Sequence, residues 1–468
     1  MSEETKTDKF RQQMFAQMQD KQLFEQASGY AFEYADQVRE RPVYPSESSL
    51  AALGEFDAPL PEHLGDPALV LQQLHRVGSP ATVAQIGGRY FGMVNGGVVP
   101  VGLAARWLSD FWDQNTPLYV TSPVAATLET VTEGWLRELL GLPEQTVAGF
   151  VSGSSMAILC GLAAARFRLL QRQGWDINRQ GLAGAPTLRI VAGRHAHGTV
   201  IKAVAMLGLG TDSIEWVDAD DQGRILAEQV PPLDAQTLLI LQAGNVNSGA
   251  FDDFQTLCRR AREAGSWVHI DGAFGLWAAA SESLKHLTAG IELADSFSVD
   301  GHKTLNTPYD NGLVLCTDAE ALSGALQASG SYILYGEQRD GMLYTPEMSR
   351  RARVVELWAT LAYLGREGVD QLVTGLHLRA RQLAESMGAA GFEIRNEVVF
   401  NQVLVGLADD SQIEPLLAAI QSSGECWAGA GRWQDRPVVR VSVCSWATTE
   451  ADVERTVRAF VSARESLG

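Results

Sequence analysis

The spacing of apolar positions changes three times along this chain. Over residues 10–40 large apolar side chains, among them Phe10, Met14, Leu23, Phe24, Tyr30 and Tyr34, are spread through polar sequence in a pattern that predicts one helix ending at Arg41-Pro42. So many large apolar groups near a terminus predict that residues 1–79 form a helical segment packed on a partner subunit. Between residues 80 and 355 the pattern shifts to short continuous runs such as "TLRIVAG", "TLLILQAG", "SWVHID" and "GLVLC", separated by helical stretches. Apolar strands alternating with helices predict an α/β domain built on a mostly parallel sheet covered on both faces. A long helix, "SRRARVVELWATLAYLGREG", then leads into residues 356–468, where "EVVFNQVLVGL" and "PVVRVSVC" predict a smaller α+β domain closing over the first.

Composition narrows the classes of function. Of 468 residues, 46% are apolar and 20% charged, which suits a folded globular chain with a sizeable core. Thirty-seven basic residues against 56 acidic ones give a net charge of −19, so a nucleic-acid backbone would be repelled. The sequence has no apolar run long enough to span a membrane and no leader-like N-terminus, so the expected location is the cytoplasm. The five cysteines, Cys160, Cys258, Cys316, Cys426 and Cys444, lack paired spacing and read as small core residues; no metal set is expected.

Candidate chemistry lies where predicted strands end, because ligands of parallel sheets bind at that edge. In "FVSGSSMAILCGLAAARFRLL" a Gly-Ser-Ser turn opens a helix, so Ser154, Ser155 and the helix N–H groups could hold a phosphate, although serine also starts ordinary helices. In "RIVAGRHAHGTV" His195 and His197 follow a strand, where an imidazole can stack on a ring or move a proton, or simply cap a turn. In "SWVHIDGAFG" Asp271 ends an apolar strand, and a buried carboxylate there calls for a cationic partner. In "ADSFSVDGHKTLNTPYDNGLVLC" Lys303, preceded by Asp-Gly-His, sits between two buried runs, which favours the free amine that can attack an aldehyde.

The order and spacing of these elements resemble the pyridoxal-dependent group II amino acid decarboxylases, of the aspartate aminotransferase-like superfamily (PLP fold type I). "RYFGMVNGG", "DQNTPLYVTSPVAATLETVTEGWLRELLGLP" and "MSRRARVVELWATLAYLGREGV" extend the likeness over about residues 20 to 465. The resemblance implies a seven-stranded, mostly parallel sheet in a large domain that binds pyridoxal 5'-phosphate (PLP), and a homodimer with shared active sites. It also implies amino acid decarboxylation through a Schiff base on Lys303. Ser154 and Ser155 would hold the phosphate with help from His302, Asp271 would face the pyridine nitrogen, His197 would stack on the ring, and Ala273 would leave room on its other face. Tyr332, or alternatively Tyr335, would be the proton donor, from "ASGSYILYGEQRDGMLYTP".

The chain departs from the family pattern in three places. Met156 stands where many relatives have glutamate, Thr304 where they have tryptophan, and Asn245, in "AGNVNSGAFDD", where a threonine is usual; Asn245 would then serve the cofactor's hydroxyl. These differences keep transamination and carbon–carbon cleavage open as alternatives. Arg440, in "PVVRVSVCSW", is either a substrate-carboxylate ligand or a structural residue. Substrate identity is not legible.

Overall fold

The computed structural model describes residues 3–327 and 337–467. Tyr332 and Tyr335 lie outside the described residues. The expected single N-terminal helix is two, Glu3–Gln19 and Gln22–Gln37. The Asp20 carboxylate accepts the Gln22 N–H at 3.0 Å, a local bond that ends one helix and starts the next.

The apolar runs become the strands of a seven-stranded sheet: β1 (Val147–Val151), β2 (Arg189–Gly193), β3 (Ile214–Val217), β4 (Thr237–Gln242), β5 (Trp267–Asp271), β6 (Ser296–Asp300) and β7 (Gly312–Cys316). Their order is β1-β7-β6-β5-β4-β2-β3, with only β7 antiparallel to its neighbours. Every residue of β4, β5, β6 and β7 is buried, as expected for central strands with helices on both faces. Because β1, β2, β4, β5 and β6 run the same way, their C-terminal ends share one edge.

The Ser154–Gln171 helix packs its alanine-rich face, including Ala157, Ile158, Ala164 and Leu169, against this sheet. A second, antiparallel sheet contains β8 (Glu393–Ile394), β9 (Gln402–Gly406), β10 (Gly429–Trp433) and β11 (Arg436–Ser442) in the order β10-β11-β9-β8. The Val354–Ala389 helix joins the two units. Val354, Leu357, Val369 and Val373 belong to the large core, and Leu376, Leu383 and Met387 to the small one. Gly365, at φ +57°, interrupts the helical geometry between its two halves. All five cysteines are buried and free. No helix among the described residues is long and apolar enough to cross a membrane.

Candidate active site

Strand ends place the predicted residues along the common edge. Asp271, the last residue of β5, is buried and accepts hydrogen bonds from Ser298 Oγ and the Ala273 N–H, both at 3.2 Å. Burial pushes the Asp271 carboxyl above the usual carboxylate range, while the nearby His197 and Lys303 pull it down. His197 caps the Gly198–Met206 helix, with its Nδ1 accepting the Thr199 N–H at 3.3 Å and lying 2.7 Å from Thr199 Oγ1. Its ring stays accessible, yet loss of water around it lowers its pKa; Asp271 opposes that shift, and Lys303 and Arg440 add to it. His195 points elsewhere, its ring centroid 5.2 Å from that of Trp433.

Lys303 follows β6 on a tight turn, its Nζ 3.1 Å from Asp300 Oδ2. His302 accepts the Asn311 N–H on Nδ1 at 3.0 Å, stacks on Tyr309 at 4.2 Å, and places Nε2 3.5 Å from Asp300 Oδ2. Burial depresses the His302 pKa, with Asp300 acting against it. On the other side His302 approaches the Gly-Ser-Ser turn: a Cβ on Gly153 would lie 3.2 Å from its Cε1. Glycine keeps that cradle open, and the hydroxyls of Ser154 and Ser155 have no hydrogen-bond partner among the described residues. Gly312 holds the same turn from behind, since a Cβ there would come within 2.3 Å of Gly153 Cα.

Ala273 is linked into the group through its carbonyl, which accepts the Asp300 N–H at 2.9 Å. Asn245 lies on the turn after β4. Its Oδ1 accepts the Asn247 and Ser248 N–H groups at 2.9 and 3.2 Å, and its buried Nδ2, without a partner, faces Gly223. The Asn side chain closes its own turn, a competition with longer-range contacts common for this residue type. Thr304 donates to the Phe274 carbonyl at 2.7 Å, so the position of the family tryptophan is filled by a buried hydroxyl anchor.

The model of the pyridoxal-dependent decarboxylase conserved domain matches residues 81–407. The chain belongs to the pyridoxal-dependent decarboxylase family. The decarboxylase is 27% identical over 383 residues to the aromatic-L-amino-acid decarboxylase of Bacillus atrophaeus, covering 79% of this chain and 78% of that relative. Among solved structures it resembles Oryza sativa TDC with PLP and tryptamine, with a TM-score of 0.88 at 20% identity over 96% of this chain and 98% of that one. It also resembles mouse CSAD, with a TM-score of 0.85 at 22% identity over 95% and 98%. The decarboxylase is a carboxy-lyase of amino acids with PLP as cofactor.

The site fits that cofactor. A buried carboxylate lacking a full set of donors meets the need of a protonated ring nitrogen, the glycine-opened helix start with two free hydroxyls suits a phosphate, and a lysine stands between them.

Two residues escaped the sequence reading. Asn306, fully buried at φ +56°, accepts the Gly97 and Trp446 N–H groups on Oδ1 at 2.8 and 2.9 Å. Its Nδ2 reaches the carbonyls of Lys303, Thr304 and Cys444 at 3.1, 2.9 and 2.9 Å. It ties "YFGMVNGG" and the C-terminal segment to the lysine turn, and Gly96, whose N–H donates to the His302 carbonyl at 3.2 Å, lies against the same backbone. Tyr309 donates to Asn95 Oδ1 at 3.1 Å and remains 43% exposed beside His302. Position after the lysine was the only sequence signal for either. Tyr119 gives its N–H to Asp340 Oδ1 at 2.8 Å, and Val120 beside it is exposed.

Arg440 is a partly buried guanidinium that, among the described residues, has no partner at Nε and makes one hydrogen bond, to the Val246 carbonyl at 3.4 Å. Among the described residues no carboxylate forms an ion pair with it.

Proposed function

We propose that the protein decarboxylates aromatic L-amino acids with PLP held by Lys303, Asp271, His197, Ser154, Ser155 and His302. The observation that carries this reading is the gathering of Asp271, His197 and Lys303 on one sheet edge beside the open Gly153 turn. The aromatic class is favoured by the curated relative and by the half-open Tyr309 ring, which offers a flat wall to a substrate side chain.

When bound, PLP serves as an electron sink for the bond that breaks at the substrate Cα. Asp271 keeps a proton on the ring nitrogen because a buried carboxylate is stabilised by a facing cation. His197 would cover the ring and, with its pKa lowered by loss of water around it, could pass a proton. The start of the Ser154–Gln171 helix would hold the phosphate with its N–H groups and the hydroxyls of Ser154 and Ser155, which would keep the cofactor oriented. Tyr332 or Tyr335 would supply the proton that takes the place of the departing carboxylate on Cα.

The enzyme would act as a cytoplasmic homodimer. Trp107, Leu108, Phe111 and Trp112 stay exposed on the Pro100–Trp112 helix even though Phe24 and Phe32 of the preceding helical segment pack on Phe111 and Trp107. Sedimentation should give a dimer, and a fully active monomer would overturn that assignment.

The function is tested by the visible spectrum of PLP-loaded wild type beside Lys303→Ala, followed by CO2 and product analysis with a panel of amino acids. A lysine-dependent band with CO2 released fastest from aromatic substrates is expected; pyridoxamine phosphate accumulating without CO2 would overturn it. A second reading follows from Arg440, whose unanswered guanidinium suits a substrate with an acidic side chain. Preference for acidic over aromatic amino acids, lost in Arg440→Met, would establish that reading instead.

A further inference from the structure

Asp300 is placed at the reacting nitrogen, yet the mechanism above gives it no task. It closes β6, is 1% exposed, and spends its backbone on the fold: its N–H donates to the Ala273 carbonyl and its carbonyl accepts the Trp277 Nε1–H, both at 2.9 Å. Its carboxylate is treated differently. Among the described residues both oxygens are buried without a hydrogen-bond donor of good geometry, and the charge is answered by Lys303 Nζ at 3.1 Å and His302 Nε2 at 3.5 Å. Oδ1 faces the phosphate turn, 3.7 Å from where a Gly153 Cβ would sit. The other titratable groups around this cluster are Asp271 on β5, His197 beyond β2, Tyr309 and Asp310 on the lysine turn, and Cys444 after β11.

A buried carboxylate with no donors is costly unless a cation stays beside it or a proton sits on it. In the cofactor-free chain Lys303 is that cation. When the lysine amine joins an aldehyde it ceases to be a free ammonium, and a phosphate arriving at the Gly153 turn brings more negative charge toward Asp300. Two neighbouring anions in a dry site do not both stay ionised.

We propose that Asp300 is the resident proton carrier of Lys303, holding its ammonium in the cofactor-free chain, taking its proton when the amine engages PLP, and returning it when the amine is released. The balance is internal. Lysine –NH3+ and aspartate –COO− become –NH2 and –COOH; the amine then forms its bond to the aldehyde carbon, and its two remaining hydrogens leave with the carbonyl oxygen as water. Release by a substrate amine leaves Lys303 as –NH2, and Asp300 restores its ammonium. The inference rests on Lys303 being the cofactor lysine.

The test uses the cofactor-free full-length protein. Trinitrobenzenesulfonate labelling of Lys303, read by peptide mass across pH 6–10, is compared in wild type, Asp300→Asn and Asp300→Ser, with folding checked by circular dichroism. PLP uptake, trapped with borohydride and mapped by peptide mass, is measured in parallel. At pH 7 the variants should label about tenfold faster than wild type, because the ion pair that holds the amine as an unreactive ammonium is gone. PLP uptake should not rise with labelling, because the proton acceptor is gone. Equal labelling profiles in folded wild type and variants would overturn the proposal. So would labelling and uptake rising together, which would reduce Asp300 to a mask on the amine. If both variants fail to fold, the wild type decides: Lys303 labelled faster than lysine in the urea-unfolded chain overturns it, and slower labelling that recovers on unfolding supports it. Borohydride trapping PLP on another lysine would instead refute the assignment of Lys303, while the labelling arm stands on its own.

Discussion

The entrance and the exit of the Lys303 turn are built in opposite ways. At the entrance, Asp300 is buried with no hydrogen-bond donor and an ion pair to the reactive amine. At the exit six residues later, Asn306 is equally buried but makes five hydrogen bonds to three separate stretches of chain. Saturated buried polar groups fix geometry, whereas an unsaturated one stores a charge imbalance that chemistry can use. The difference shows that this turn is a rigid clamp on one side and an electrostatically unfinished pocket on the other.

The largest effect should come from breaking the clamp. Asn306→Ala removes all five bonds and places alanine at a left-handed φ, so urea unfolding should show a loss of about 4 kcal/mol. Retention of wild-type stability would mean that the turn is held elsewhere. Asp271→Asn tests the unfinished side: the protein should fold and take up PLP, while kcat for decarboxylation falls about a hundredfold, equivalent to about 2.7 kcal/mol.

Asp252 provides a third buried carboxylate for calibration, since it accepts the Ile225 and Gln242 N–H groups at 2.8 Å each. Burial nevertheless pushes it up to about 6 from the ordinary 3.8. The folded chain therefore holds a proton that the unfolded chain has released; the stability this contributes is full below pH 3.8 and is lost as pH rises through about 6. In urea titrations between pH 4 and 6, wild type should lose up to about 1.4 kcal/mol per pH unit relative to Asp252→Asn. The smallest effect is expected at the entrance. Asp300→Asn removes a donorless buried anion together with its ion pair, so stability should stay within about 1 kcal/mol of wild type even as lysine labelling changes. A loss as large as that of Asn306→Ala would erase the contrast between the two ends.

Much of this was legible before the fold was known. Buried strands such as "SWVHID" and "GLVLC" announce themselves by continuous apolar sequence, and the residue after such a strand must emerge at the sheet edge, which is how Asp271 and Lys303 could be named. Asn245 was legible as a position, but the closing of its own turn by Oδ1 was not, because that bond is local and leaves no periodic trace. The N-terminal helix was legible in kind but not in its break at Asp20, since a single side-chain to backbone bond leaves no periodic trace.

The sequence by itself determined the strand order of chemistry: serines, histidine, aspartate and lysine at successive strand ends, with the cofactor class that this order implies. Only the tertiary structure decided which of the buried polar groups are satisfied. Asn306 depends on partners more than a hundred residues away at Gly97 and Cys444, and Asp300 owes its isolation to the packing of β6 between β5 and β7. Periodicity records which face of a strand is buried; it cannot record whether a buried carboxylate will find a donor, because that donor comes from another part of the chain.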